Sequence, residues 1–263
     1  MDLTDEQIER YARHIVLKEV GGSGQARLLN ARVLVVGAGG LGSPITMYLA
    51  AAGVGTIGII DFDDVSLSNL QRQILHTTKK VGTPKVNSAK ATLLEINPGI
   101  HVEVHSSRLT ATNAMDLISR YHIVADGSDN FATRFLVNDA CKLTEVTLVS
   151  GALSQFDGQV STFKPHAGPA HPCYRCIYGQ PPPGPTASCS EAGILGALVG
   201  MVGSLQAVEV LKEIIDIGES LSGQLIIYDS LHTNWRKVKV RRDPECPLCG
   251  DAPTITDLSA HKK

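Results

Sequence analysis

Apolar positions along this chain switch between two periods, and the switching predicts its architecture. The run "RVLVV" (32–36) is β-branched and continuous, and it ends on glycines. "TIGIID" (56–61), "HVEVHSS" (101–107), "HIVADGSDN" (122–130) and "VTLVSGAL" (146–153) repeat the strand signal. Helical spacing fills the gaps: from Thr83-Pro84 to about Ile96, stopped by Asn97-Pro98-Gly99, then over 110–121 and 131–143. Strand, helix, strand, helix in this order predicts an α/β fold, a Rossmann-like, doubly wound and mostly parallel sheet. Its ligands belong at the C-terminal strand ends, where Gly37, Asp61 and residues 126–130 fall.

Past Gly151 the rhythm changes. "FDGQVSTF" (156–163) reads as a hairpin turned at Asp157-Gly158, and the prolines of "YGQPPPGPTAS" predict a flexible crossover loop over about 178–189. A long helix from about Ser190 to Ile217 and strands at 223–229 and 233–242 form an antiparallel C-terminal extension. In "RKVKVRR" (236–242) valines alternate with basic residues, as in a half-exposed strand. The expected organisation is a helical segment over 1–30, with Thr4 as an N-cap, a nucleotide-binding domain over 31–250 and a flexible tail over 251–263.

Composition narrows the function. With 43% hydrophobic residues in 263, the chain can fill a sizeable core unaided. A formal charge of −2 gives no global field toward nucleic acid or anionic membranes. The N-terminus has neither a basic nor an apolar signal region, so a cytoplasmic protein is expected. "AGILGALVGMVG" (192–203) is too short to span a bilayer and reads as a buried helix whose glycines admit a neighbouring backbone.

The chemistry begins at "GAGGLG". Gly37, Gly39 and Gly42 have the G-x-G-x-x-G spacing of a phosphate-binding turn, and Ser43-Pro44 reads as an N-cap followed by the first helical residue. Asp61, some two dozen residues on, suits a ribose hydroxyl; NAD and ATP both remain open here. "DFDDVSLSNLQRQ" (61–73) then supplies three carboxylates with Asn69, Gln71 and Arg72, and Lys85 follows. Phosphoryl or nucleotidyl transfer uses such cations and carboxylates, because charge develops on phosphate oxygens; a surface salt-bridge network is the plainer alternative. Two Cys-x-x-Cys pairs, Cys173 with Cys176 and Cys246 with Cys249, fit a four-thiolate zinc site. Cys141 reads as a buried inert thiol. Cys189, at the expected start of the long helix, is either an activated nucleophile or an unreactive loop cysteine. The nine histidines form no ligand cluster and receive no role.

Taken together, "GAGGLGSP", "DFDDVSLSNLQRQ", "VGTPKV", "DGSDNFATR", "CYRC", "SCSEAGILG", "GSLQAVEVLK" and "CPLCG" resemble the MoeB/ThiF/HesA family, bacterial relatives of ubiquitin-activating enzymes. The resemblance covers nearly the whole chain and is closest to the molybdopterin-synthase adenylyltransferase type. It implies ATP-dependent adenylation of the C-terminal Gly-Gly carboxylate of a small ubiquitin-like sulfur carrier, with pyrophosphate released before sulfur transfer. It further implies that Gly40 contacts ATP, Asp61 the ribose, and Ser68, Asn69, Leu70, Gln71, Arg72 and Lys85 the triphosphate. Asp129 would bind Mg²⁺, with Asn130 nearby. Arg13, in "RYARHI", would reach the ATP of the other subunit of a homodimer. Cys173, Cys176, Cys246 and Cys249 would hold Zn²⁺, and Cys189 matches a cysteine that in some members bonds to the carrier. A cysteine desulfurase or rhodanese-like protein would donate the sulfur. The competing readings are a thiamine-branch adenylyltransferase, an NAD-dependent oxidoreductase and a non-catalytic scaffold.

Overall fold

Five short strands follow from the apolar runs: β1 (Arg32–Val36), β2 (Thr56–Ile60), β3 (His101–His105), β4 (Ile123–Asp126) and β5 (Thr147–Ser154). In the computed structural model, which describes residues 3–181 and 193–262, they continue into β6 (Asp157–Phe163), β7 (Gln224–Asp229) and β8 (Asn234–Lys239). The sheet runs β3-β2-β1-β4-β5-β6-β7-β8, parallel through β5 and antiparallel beyond it. Chain order reverses between β1 and β4, so their loops diverge and leave a cleft at the C-terminal edge. Register carries the other strands to the same edge: Val36 lies beside Ile60 and Asp126, Ile60 beside His105, and Asp126 beside Ser150.

Both faces are covered, which is why β1 is a continuous apolar run. Val33, Val35, Ile57 and Ile59 pack with residues of α2 (Gly21–Asn30), α3 (Gly42–Ala52), α4 (Lys85–Ile96) and α8 (Gly196–Ile215). Leu34, Val36, Ile60 and Leu148 face α5 (Ala114–Ile118) and α6 (Phe131–Leu143) instead. The expected close backbone approach occurs at Gly203 in α8, where a Cβ would stand 2.7 Å from the Leu41 carbonyl oxygen. Among the described residues no helix is long and apolar enough to cross a membrane. Before the sheet, α1 (Asp5–Ile15) starts with a full capping box, in which Thr4 and Gln7 exchange side-chain to backbone hydrogen bonds.

Local expectations fail where a tertiary neighbour decides. The hairpin turns on Gln155, at φ +43°, and Phe156 rather than on Asp157-Gly158. Asp157 and Gly158 already pair with Ser154 and Leu153, because a Cβ at Gly158 would come within 2.4 Å of Val202 on α8. Ser43 does not cap α3. The helix begins at Gly42, and the Ser43 hydroxyl donates to the Gly39 carbonyl at 2.6 Å. The helix expected over 110–121 shrinks to α5, because Asn113 accepts the Thr110 N–H and holds a turn before it. At the other end, α8 starts six residues later than expected, after Gly193 at φ +75° and an extended Leu195. Strand β8 is exposed on both faces rather than one, since it is the sheet's outer edge. The expected crossover loop falls largely outside the described residues.

The segment expected as a flexible tail is held to the body. Leu258 is buried, and His261 Nε2 lies 2.8 Å from Asp139 Oδ2. Asp139, fully buried on α6, also takes two hydrogen bonds from Arg175, at 2.8 and 2.7 Å. Arg175 opens the short helix α7 (Arg175–Tyr178) between the first two paired cysteines. Burial alone would raise the Asp139 carboxyl, but hydrogen bonds from His261 and Arg175 prevail and hold it below the usual carboxylate range.

A carboxyl depressed in the folded state stabilises above its unfolded pKa, about 3.9, and loses that contribution as pH falls through the folded value. Asp139→Ala would strand the buried Arg175 charge and is expected to cost about 3–5 kcal/mol in urea unfolding at neutral pH. The variant's deficit should shrink as the pH is lowered below 4.

Candidate nucleotide site and metal centre

The cleft at the strand ends is floored by the glycine loop. Gly37 takes φ +93°, and a Cβ at Gly42 would lie 1.9 Å from the Gly37 carbonyl oxygen, so the β1-to-α3 turn closes without side chains. One oxygen of Asp61 accepts the Ala38 N–H at 2.8 Å and the other accepts the Asp63 N–H at 2.8 Å. A carboxylate is thus fixed at the end of β2, half-exposed to the cleft. Lys85 is the first residue of α4, and its ammonium is nearly buried, 2.8 Å from Asp63 Oδ2. On the β4 side, Asn130 caps α6 by accepting the Thr133 N–H, and its amide lies 3.4 Å from the exposed Asp129 carboxylate.

Gly40, Asp61, Arg72, Lys85, Asp129 and Asn130 all line this one cleft. Ser68, Asn69, Leu70 and Gln71 lie just outside its lining, in the turn that delivers Arg72. Arg13, exposed on α1, is also absent from the lining. Cys189 lies outside the described residues. The sequence reading missed Phe62, Gln73, Arg108, Ser128, Thr133 and Arg134 as lining residues. The strand-end rule pointed at them, since Phe62 follows β2, Arg108 follows β3 and Ser128 follows β4. The Arg108 guanidinium stacks 3.9 Å from the Phe62 ring centre at the mouth.

The lining suits a polyanion bearing hydroxyls. Gln73 Oε1, Ser128 Oγ and Arg134 Nε are buried and have no hydrogen-bond partner among the described residues, so donors and an acceptor wait on the cleft wall. Asp126 Oδ2, just beneath, is likewise unpartnered, and complete burial raises that carboxyl's pKa despite the nearby Arg134. The cleft is open to solvent on one side, and its floor is the glycine loop.

Four sulfurs converge elsewhere. Cys173 lies 3.6 Å from Cys246, 3.3 Å from Cys249 and 3.9 Å from Cys176, and Cys176 lies 3.4 Å from Cys249. All four ligand atoms lie within 4.8 Å of one another, in a largely buried cluster. A tetrahedron with Zn–S bonds of about 2.3 Å has edges of about 3.8 Å, close to these separations. Sulfur contacts with Cys173 and Cys249 lower the Cys176 thiol's pKa, against Cys246 and burial, which raise it. The Asp243 N–H donates to Cys176 Sγ, a backbone contact that favours thiolate. The donor set and spacing fit zinc. Cys141, by contrast, is fully buried, and burial pushes its thiol well up, as expected of an inert cysteine.

The ThiF family model matches residues 11–248. The chain belongs to the ThiF family. Among ThiF-family relatives, the sulfur carrier protein adenylyltransferase of Thermus thermophilus is 50% identical over 261 residues, covering 98% of this chain and 96% of that protein. The SAMP-activating enzyme E1 of Haloferax volcanii is 45% identical, covering 95% and 92%. The adenylyltransferase and sulfurtransferase MOCS3 of Culex quinquefasciatus is 46% identical, and the chain spans 58% of that longer protein. Crystal structures of E. coli MccB share the fold: the complex with MccA-N7isoASN gives a TM-score of 0.82 at 23% identity over 95% of this chain and 76% of that one. The MccB complex with ATP gives 0.78 at 24% identity, over 92% and 73%.

Because a structural zinc site contributes directly to folding, purified protein should carry one zinc per chain by elemental analysis. Chelation, or Cys246→Ser, should lower its melting temperature. A zinc-free preparation with an unchanged melting curve would exclude the site.

Proposed function

We propose that this ThiF-family chain is an adenylyltransferase that uses ATP to activate the C-terminal carboxylate of a small ubiquitin-like sulfur-carrier protein ending in Gly-Gly. The observation that carries it is the single cleft joining a glycine loop, Asp61, Arg72, Lys85 and Asp129. The names of the Thermus and Haloferax relatives support the same reading. In the reaction, a carrier carboxylate oxygen bonds to the α-phosphorus as the bond to the pyrophosphate oxygen breaks. That electron pair leaves with pyrophosphate, and no proton is transferred. The barrier is the approach of one anion to another, so the site's task is alignment and charge neutralisation.

The chain's own groups divide that task. Asp61 takes the ribose hydroxyls, Gly40 and its neighbours pass the phosphates close to backbone, and Arg72 and Lys85 meet the phosphate charge. Lys85 exchanges Asp63 for a phosphate oxygen, which leaves no buried charge unpaired at either stage. Asp129, with Asn130 beside it, would hold Mg²⁺, which would supply charge neutralisation at the phosphates. Ser68 to Gln71 shape the turn carrying Arg72. Arg13 acts on the neighbouring subunit's ATP in a homodimer, which accounts for its exposure away from its own cleft. A cysteine desulfurase or rhodanese-like protein supplies sulfur to the activated carrier, and Cys189 is the residue to test for a covalent link to it. The molybdopterin type is favoured by "SLSNLQRQ" and "SCSEAG". The protein is taken to act in the cytoplasm. An NAD-dependent oxidoreductase would leave Arg72 and Lys85 without chemical work.

Asp129→Ala should abolish carrier-dependent ATP–pyrophosphate exchange while leaving the melting curve unchanged; retained exchange would overturn the metal assignment. Arg13→Ala should be equally inactive alone. Mixing it with Asp129→Ala should restore activity through hybrid dimers carrying one intact site, read by the same exchange assay.

A further inference from the structure

Among groups the reaction above leaves unused, His76 is the most tightly constrained. It is 5% exposed and lies between Arg72 and α4. Its Nε2 stands 2.8 Å from the Ala38 carbonyl oxygen in the glycine loop, and its Nδ1 stands 2.9 Å from Ser88 Oγ on α4. A carbonyl can only accept, so Nε2 carries the proton, and Nδ1 of the neutral ring accepts from the Ser88 hydroxyl. Burial pushes the imidazole's pKa down; the Ala38 bond and Asp61 oppose this, and Lys85 adds to it. Nε2 is protonated in either charge state, and burial favours the neutral ring, in which Nδ1 accepts from Ser88.

The consequence for the loop follows from peptide planarity. In a trans peptide the N–H points opposite the preceding carbonyl, so fixing the Ala38 oxygen toward His76 aims the Gly39 N–H away from it. The preceding peptide is fixed by the Ala38 N–H on Asp61. Two successive peptides of the phosphate turn are therefore clamped by side chains, one acidic and one neutral. The same ring grips α4 one turn from Lys85, and the backbone N–H of His76 donates to the Gln73 carbonyl, so the ring sits on the turn that follows Arg72.

We propose that His76 is a positioning residue for adenylation, registering the glycine loop, the Arg72 segment and the Lys85 helix so that all three meet one triphosphate. This rests on the adenylyltransferase reading. His76 touches no reacting atom. Its neutral ring also fits its place, since a fixed cation there would compete for the phosphate that Arg72 and Lys85 must hold.

The test compares His76→Phe, which fills the space without hydrogen bonds, with His76→Gln, whose amide can donate to Ala38. Kinetics of carrier-dependent exchange and calorimetric titration of ATP are read alongside melting temperature. His76→Phe should lower kcat/KM for ATP on the order of 10²-fold, the scale of a small misplacement of reacting groups, with KM for the carrier unchanged. His76→Gln should recover most of that loss, and Ser88→Ala should show a smaller deficit of the same kind. Wild-type kcat and KM for ATP in His76→Phe would overturn the proposal, as would His76→Gln remaining as impaired as His76→Phe at matched stability. If His76→Phe fails to fold, His76→Gln and Ser88→Ala decide: wild-type values in Ser88→Ala with ATP affinity lost in His76→Gln would overturn the shared clamp. Absence of exchange in the wild-type protein would overturn the adenylyltransferase reading instead; ATP titration of the variants would still report on the clamp.

Discussion

The contact on which this molecule most depends is between two pieces of backbone. Gly42 at the start of α3 presses on the Gly37 carbonyl with no room for a Cβ, and Gly127 after β4 packs nearby less tightly, its own Cβ position lying 3.0 Å from the Gly42 nitrogen. Side chains are excluded from the point where the strand order reverses. The phosphate turn can therefore sit low in the cleft, and the loops after β2 and β4 can face each other across it. On the far side, α8 lies against Leu41 and Pro44 through Gly203, so the turn is backed by a rigid helix rather than by solvent. Packing at one van der Waals distance fixes the place where charge must be managed.

Charge in the cleft is balanced internally. Lys85 is paired with Asp63, and Asp61 is engaged by backbone N–H groups. Each is a pairing that an incoming polyanion can exchange rather than create. A site built this way avoids bare buried cations, whose desolvation would be costly, yet presents them once a stronger partner arrives. The exposed Asp129 stands opposite as the one carboxylate beside Asn130 that faces open solvent.

Much of this was legible in local sequence because the signals are themselves local. The parallel strands announce themselves as unbroken apolar runs, and α6 begins where Asn130 can cap it and runs over 131–143 as expected. Gly37, Asp61 and residues 126–130 could be gathered because strand ends in a doubly wound sheet share an edge, whereas the roles of Gly40 and Asp129 come from the family resemblance. What escaped depends on distant partners. Gly158 looks like a turn residue until Val202 is seen above it, and α8 starts late for reasons of loop conformation rather than helical period. His76 carried no motif, and its role exists only where Ala38 and Ser88 come within reach. The tail looked loose because a lone leucine and histidine among polar residues say nothing of Asp139, 122 positions earlier.

The cysteine cluster also joins two distant parts of the chain. Its two halves are 73 residues apart, and the chain between them contains α8, β7 and β8. The entropic cost of closing a loop grows only slowly with its length, so a cross-link over this span is not prohibitive. The first knuckle is anchored to α6 through Arg175 and Asp139, whereas the second follows the edge strands in the chain. A metal held there would tie the body to a sheet extension whose outermost strand has a neighbour on one side alone.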